Sequence, residues 1–114
     1  MEATKKRRLA EAGWQIGTAS EFLELSAEEE ALIETRIALT KLVRERRLRG
    51  KLTQIQLAKL LGSSQSRVAK LEAGDASVST DLLLRAPYAV GASLADVGSA
   101  IRNADLDTRR KIAR

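Results

Sequence analysis

The chain has 114 residues, 44% of them hydrophobic and 3% aromatic, with a net charge of +5. This length favours one domain with a modest core, and a core poor in aromatic residues must use Leu, Ile, Val and Ala, which favours helices. Because the sequence contains neither cysteine nor histidine, it excludes disulfides, thiolate chemistry and histidine-based catalysis or metal binding. We therefore expect an all-α protein that is not an enzyme, with no metal site and no cofactor.

The basic start of the chain does not continue as a targeting sequence. Lys5 to Arg8 are followed by LAEAGWQIGTASEF, which lacks the apolar core of a signal peptide. Nowhere does an apolar run approach the length of a membrane helix. We expect a cytoplasmic protein without membrane contacts.

The N-terminal third predicts a short helix followed by a long one. Residues 18–21 (TASE) and 26–29 (SAEE) both fit the capping box, in which a hydroxyl and a carboxylate satisfy free amides at a helix start. They predict a short helix over about Ala19 to Leu25 and a long helix from near Ala27, which ends at Gly50. The apolar stripe expected on the long helix is Leu32, Ile33, Ile37, Leu39, Leu42 and Val43.

Residues 52–74, LTQIQLAKLLGSSQSRVAKLEAG, contain two short helical patterns on either side of Gly62. Thr53 opens the first with a third capping box, and Ser64 is the expected N-cap of the second. Gly62 permits the positive φ that a tight turn between packed helices needs. This layout predicts a helix-turn-helix. The side chains expected to face the core are Ile55, Leu57, Ala58, Leu60 and Leu61, then Val68 and Leu71.

The remainder of the chain predicts two more helices and a tail. One helix starts at Ser79 or Thr80 and the other at Ser93, while residues 104–114 are expected to form a mobile basic tail. Pro87 falls inside the first of these helices, where it removes an amide donor and clashes with the preceding turn. That helix should therefore kink at Pro87 or end early near Arg85.

The positive charge is concentrated in the middle of the chain. Residues 37–74 hold nine Lys or Arg against two Asp or Glu, a net +7, whereas residues 1–36 hold five against eight, a net −3. Basic side chains that bind phosphates displace condensed counterions, so this distribution indicates a nucleic-acid surface. The alternative is a basic face that is simply solvated.

The second helix of the motif carries short polar side chains suited to the major groove of DNA. Gln65 can bond bidentately to adenine, and Lys70 can donate to the acceptors of guanine. Gln54 stands at the positive end of the preceding helix, where phosphates bind. We expect base contacts from Ser64, Gln65, Ser66, Arg67 and Lys70, and phosphate contacts from Thr53, Gln54 and Lys59.

The quoted segment resembles the helix-turn-helix of the lambdoid-repressor/Cro superfamily, the XRE-type regulators. The resemblance is specific over residues 37–74 and looser through residue 101. It implies a five- to six-helix lambda-repressor-like DNA-binding domain over residues 37–103, preceded over residues 1–36 by an N-terminal helical arm.

The same resemblance implies roles for individual residues. Gln54 holds phosphate, Gln65, Ser66 and Lys70 read bases, and Arg47 with Glu72 forms a structural ion pair inside the domain. A single helix-turn-helix makes few base contacts, so we expect a homodimer on double-stranded DNA with a pseudo-palindromic operator.

Residues 14–36, WQIGTASEFLELSAEEEALIETR, resemble the region before this motif in HigA-type antitoxins. Those proteins neutralise RelE/HigB-like ribonuclease toxins and repress their own operons. The acidic character of this segment suits a basic ribonuclease, although glutamates at a helix start also simply complement the helix dipole. Trp14, Phe22 and Leu25 are the expected partner contacts, or else the aromatic pair pins the arm to its own core.

Three functions follow from these patterns. The preferred one is antitoxin and autorepressor of a type II toxin–antitoxin operon. The second is a stand-alone XRE-type repressor without a toxin partner. The third, an RNA-binding or adaptor protein, is disfavoured because the motif offers no aromatic platform for unpaired bases.

Overall fold

A computed structural model describes residues 25–113, which contain five α-helices and no strand. The all-α prediction is confirmed. The short helix expected from Ala19 falls outside the described residues. None of the five helices combines the length and apolar character that crossing a bilayer requires. We number the helices α1 (Ala27–Arg49), α2 (Gln54–Leu61), α3 (Gln65–Glu72), α4 (Thr80–Ala89) and α5 (Leu94–Ala113).

Helix starts lie where capping residues occur in the sequence. Ser26 and Thr53 form the predicted capping boxes and accept bonds from the third helical amide at 3.1 and 3.0 Å. Ser64 caps α3, and Ser79 rather than Thr80 caps α4, each at 3.1 Å. Each such cap stabilises its helix by about 1 kcal/mol.

The core lies where α1 crosses the other helices. Helix α1 packs against α3, α4 and α5, and α2 packs against both α3 and α4. The two helices of the motif therefore rest on a single apolar cluster that holds their relative orientation. The largest fully buried side chains are Leu39, Leu57, Leu71, Leu83, Val43, Val68 and Pro87.

Four apolar residues expected to be buried are exposed. In α2 the side chains of Ile55 and Leu60 are 58% and 57% exposed, and in α1 Leu32 is 53% and Ile37 37% exposed. The reason in α2 is its length, since eight residues present one narrow face to the core and Leu57, Ala58 and Leu61 fill it. Ile55 is two residues from Leu57, about 200° around the helix, and thus points away.

Pro87 lies inside α4 without ending it, so the expectation of an early end near Arg85 is wrong. The helix continues to Ala89, and the Pro87 side chain is fully buried. Proline lacks an amide hydrogen, so the backbone hydrogen bond to the carbonyl of Leu83 is missing. The position is close to the end of the helix, where only two residues follow it. The Pro87 carbonyl then accepts bonds from the amides of Val90 and Ala92 at 3.2 and 2.9 Å.

The chain shows no boundary at residue 36, where the expected arm was to join the domain. Helix α1 is continuous across it, and Arg36 donates to the carbonyl of Val78 at 2.8 Å. At the other end, residues 104–113, expected to be a mobile basic tail, continue α5 as helix. No glycine or proline follows Gly98 to stop that helix, and an Asp105–Arg109 pair one turn apart supports it.

The turn between α2 and α3 depends on the backbone freedom of Gly62. Its φ is +64°, and a Cβ built there meets no atom within 4 Å. We therefore expect Gly62→Ala to lower the free energy of unfolding by about 1–2 kcal/mol through backbone strain alone. Gly98→Ala is the control, because Gly98 lies within α5 with equally open space, and alanine there should raise stability by about 1 kcal/mol. Urea denaturation of both variants measures the difference, and equal signs would contradict it.

Candidate nucleic-acid interface

Helix α3 presents one polar face outward and one apolar face to the core. Val68 and Leu71 are buried with 0% and 1% exposure, and they alternate with the polar residues at helical spacing. The outer face is thus free to approach a double helix. All five expected base-reading side chains are exposed: Ser64, Gln65, Ser66, Arg67 and Lys70.

A largely buried ion pair joins α1 to the end of α3. Arg47 and Glu72 have side-chain exposures of 11% and 5%, and two guanidinium nitrogens donate to the two carboxylate oxygens, one of them at 2.7 Å. Arg47 also donates to the carbonyl of Leu52 at 2.9 Å. Hydrogen bonding to Glu72 raises the pKa of Arg47 above its ordinary value, against the opposing effect of burial. Glu72 is therefore a structural carboxylate with a permanent counter-ion.

Two glutamines connect this ion pair to the outer face of α3. Gln54 donates to Glu72 at 3.3 Å, and its carbonyl oxygen accepts a bond from the side-chain amide of Gln65 at 2.8 Å. The direction of these bonds follows from the charge, since an ionised carboxylate only accepts. Gln54 must present its NH₂ group to Glu72, and its carbonyl oxygen is then left for Gln65.

The chain of bonds fixes the orientation of the Gln65 side chain. Its NH₂ group keeps one free hydrogen and its carbonyl oxygen is not used in the network. One donor and one acceptor on a single amide match the N7 acceptor and N6 donor of adenine in the major groove. A side chain held in place before binding loses less conformational entropy on contact.

Two of the expected phosphate contacts, Thr53 and Gln54, stand at the start of α2, and the third, Lys59, lies in its last turn. Thr53 and Lys59 are exposed, and Gln54 is half-buried. The Thr53 oxygen accepts the capping bond, which leaves its hydroxyl hydrogen to donate. Gln54 has one N–H remaining beyond its bond to Glu72. Of the three, Gln54 is the one that contacts α3, through its bond to Gln65.

The candidate partner contacts are less completely described. Trp14 and Phe22 lie outside the described residues, and Leu25 is half-buried just before α1. The residues described contain no group of carboxylates placed to hold a metal ion.

Sequence reasoning missed the contact between Gln54 and Gln65. The available signal is their position, because each is the first residue of its helix and the two helices are joined by a tight turn. It also missed the pairing of Arg46 with Asp96 at 2.7 Å, which joins α1 to the start of α5. There the amide of Ser93, and secondarily Arg46, lowers the pKa of Asp96.

Comparison with protein families supports what this geometry indicates. Residues 43–87 match a family described as "Helix-turn-helix", a span that includes all of α2 and α3, the end of α1 and most of α4. Neither the curated proteins nor the solved structures gave a match. Residues 43–87 are thus similar to the helix-turn-helix family, and the helical fold and the exposed polar face of α3 agree with that similarity.

Proposed function

We propose that the protein is a sequence-specific repressor that places α3 in the major groove of duplex DNA. The observation that supports this most is the exposed Gln65, oriented through Gln54 by the Arg47–Glu72 pair. A side chain that merely faces solvent needs no such support. The outward polar face and buried apolar face of α3 fit the geometry of a recognition helix.

Each exposed residue of the interface receives a role in this proposal. Gln65 reads adenine, and Lys70 donates to guanine from a position further along α3. Ser64, Ser66 and Arg67 flank these contacts on bases or phosphates, while Thr53, Gln54 and Lys59 hold the phosphate backbone. Two copies of the chain bind a pseudo-palindromic operator in the cytoplasm, because one α3 contacts too few bases for useful selectivity.

Replacing Gln65 by alanine tests the reading role. With duplexes selected from a random library by the wild-type protein, we expect affinity to fall by about 1–3 kcal/mol and the preference for adenine at one position to disappear. Affinity for random duplexes should hardly change. Fluorescence anisotropy on both kinds of duplex measures the two effects.

The matched control is Arg102→Ala, which alters an exposed residue on α5 outside the motif. It should leave both affinities unchanged. Equal losses of Gln65→Ala on selected and random duplexes would contradict base reading. Tighter binding of the wild type to single-stranded RNA than to duplex DNA would instead favour the RNA-binding alternative.

We further propose that the regulator is the antitoxin and autorepressor of a toxin–antitoxin operon. Helix α1 supports this through its charge, with Glu28, Glu29 and Glu30 in its first turn and Arg46, Arg47 and Arg49 in its last. The start of α1 is thus an acidic end of the domain, whereas the proposed DNA contacts belong to α2 and α3, and Arg46 and Arg47 pair with Asp96 and Glu72. A ribonuclease toxin, being basic in order to hold RNA, suits the acidic end.

A variant in which the acidic end is neutralised distinguishes an antitoxin from a stand-alone repressor. The variant Glu28→Gln/Glu30→Gln/Glu34→Gln keeps the capping-box partner Glu29 and should preserve the fold. We expect it to lose binding to a small basic ribonuclease encoded beside this gene, while DNA affinity stays the same. Isothermal titration with that protein measures the loss. If the wild type fails to bind it, the stand-alone repressor is the correct function.

A further inference from the structure

An apolar groove separates the first half of α1 from the segment that leads out of α3 into α4. It has a volume of about 420 Å³, and Ile33 and Ile37 line one side while Leu71, Val78 and Leu83 line the other. Ile37, which lines the groove, is 37% exposed. Covering an apolar recess of this size is favourable, because it removes apolar surface from water.

We propose that residues 14–24 of the same chain fold back along α1 and place Trp14 in this groove. Two of the three aromatic residues of the chain, Trp14 and Phe22, belong to that segment. Large aromatic side chains gain most from burial in an apolar recess. The third, Tyr88, is 42% exposed on α4 and does not line the groove.

The length of chain before α1 agrees with this placement. Ile33 and Ile37 stand about 9 and 15 Å along the helix from its first residue. Even when fully extended, the three residues from Phe22 to Leu25 span at most about 10 Å, so Phe22 can reach only the near end of the groove, beside Ile33. Trp14 lies eleven residues before Leu25, and an extended chain of that length spans about 36 Å. Trp14 therefore reaches every part of the groove, including the far end near Ile37.

The charges of the segment and of the groove are also complementary. Residues 9–24 contain Glu11, Glu21 and Glu24 and no Lys or Arg. Arg36 and Lys41 line the groove, and Arg36 is held in place by its bond to the Val78 carbonyl. The opposing charges in the lining are Glu72, which is paired with Arg47, and Asp75, whose carboxylate accepts a bond from the amide of Ser77 at 2.8 Å.

The docked segment would support the recognition helix from behind. Ala73 and Gly74, at the end of α3, border the groove opposite α1. Burying them under the arm fixes the end of α3 that is remote from Gln65. The N-terminal segment thus becomes part of the folded domain, which distinguishes it from a partner-binding arm held away from the core.

Trp14 is the only tryptophan of the chain, so its fluorescence reports directly on docking. In the full-length protein we expect a blue-shifted emission maximum and acrylamide quenching severalfold weaker than in guanidinium-unfolded protein. Both should be independent of protein concentration. Emission and quenching equal to those of the unfolded chain would overturn the proposal, and a concentration-dependent blue shift would mean that a second copy fills the groove.

Two variants locate the indole in the groove. Ile37→Glu places a charge in the recess, and Lys41→Glu reverses a charge at its exposed rim without touching the core. Both should shift the emission to the red and increase quenching, with far-UV circular dichroism unchanged. The controls Leu32→Glu and Lys51→Glu alter exposed residues outside the groove and should change neither signal. A buried indole that ignores Lys41→Glu and Ile37→Glu lies elsewhere, and the proposal fails.

Discussion

Replacing Glu72 by alanine is expected to lower the free energy of unfolding by about 3–5 kcal/mol. The side chain of Arg47 is only 11% exposed. In the variant its guanidinium loses the carboxylate that accepts two of its hydrogen bonds. A loss of this size is a large part of the total stability of a small domain. Guanidinium denaturation followed by circular dichroism measures it.

The expected loss arises from an unpaired buried charge, and two comparisons test that cause. The double variant Arg47→Met/Glu72→Met removes both charges and should be considerably more stable than Glu72→Ala. Arg46→Ala breaks the more exposed pair with Asp96, whose side chains are 27% and 38% exposed, and should cost about 1 kcal/mol or less. If Glu72→Ala costs no more than Arg46→Ala, the pair does not stabilise the fold as described.

The same variant should also affect DNA recognition. Without Glu72, the side chain of Gln54 loses the acceptor that sets its direction, and Gln65 loses its fixed orientation. Selectivity for bases should then fall even at temperatures where the variant is fully folded. Under the proposed function, one network of hydrogen bonds would serve both stability and recognition.

Local chemistry explains which parts of the fold could be predicted from the sequence. The caps at Ser26, Thr53 and Ser64 act within four residues of themselves, and their helices start where the capping pattern places them. The exposed face of α3 was likewise predictable, because Val68 and Leu71 are the apolar pair at helical spacing in that helix.

Features that depend on packing between distant segments could not be predicted in this way. Ile55 and Leu60 are as apolar as Leu57, and the positions of α3 and α4, against which α2 packs, decide which of them is covered. Pro87 is tolerated near the end of α4, and the burial of its ring depends on neighbouring elements that local propensity does not describe. The bond between Gln54 and Gln65 likewise requires the angle between α2 and α3.

The sensitivity of DNA binding to salt is expected to be the largest effect on function. Because the segment from 37 to 74 carries a net charge of +7, binding releases condensed counterions. If the two protomers neutralise about six phosphates, affinity should fall about 10³-fold between about 50 and 200 mM salt. The logarithm of affinity should be linear in the logarithm of salt concentration, and anisotropy titrations over that range give the slope.

Lys59→Gln assigns part of that slope to one residue. Lys59 is exposed in the last turn of α2 and is one of the proposed phosphate contacts, so each protomer should lose a slope of about 0.9, or about 1.8 for a dimer. The loss should be the same on selected and random duplexes, since phosphates carry no sequence information. Arg102→Gln removes one equally exposed charge from α5 and should leave the slope unchanged. Equal reductions by the two variants would show that net charge, rather than contact at the motif, attracts this protein to DNA.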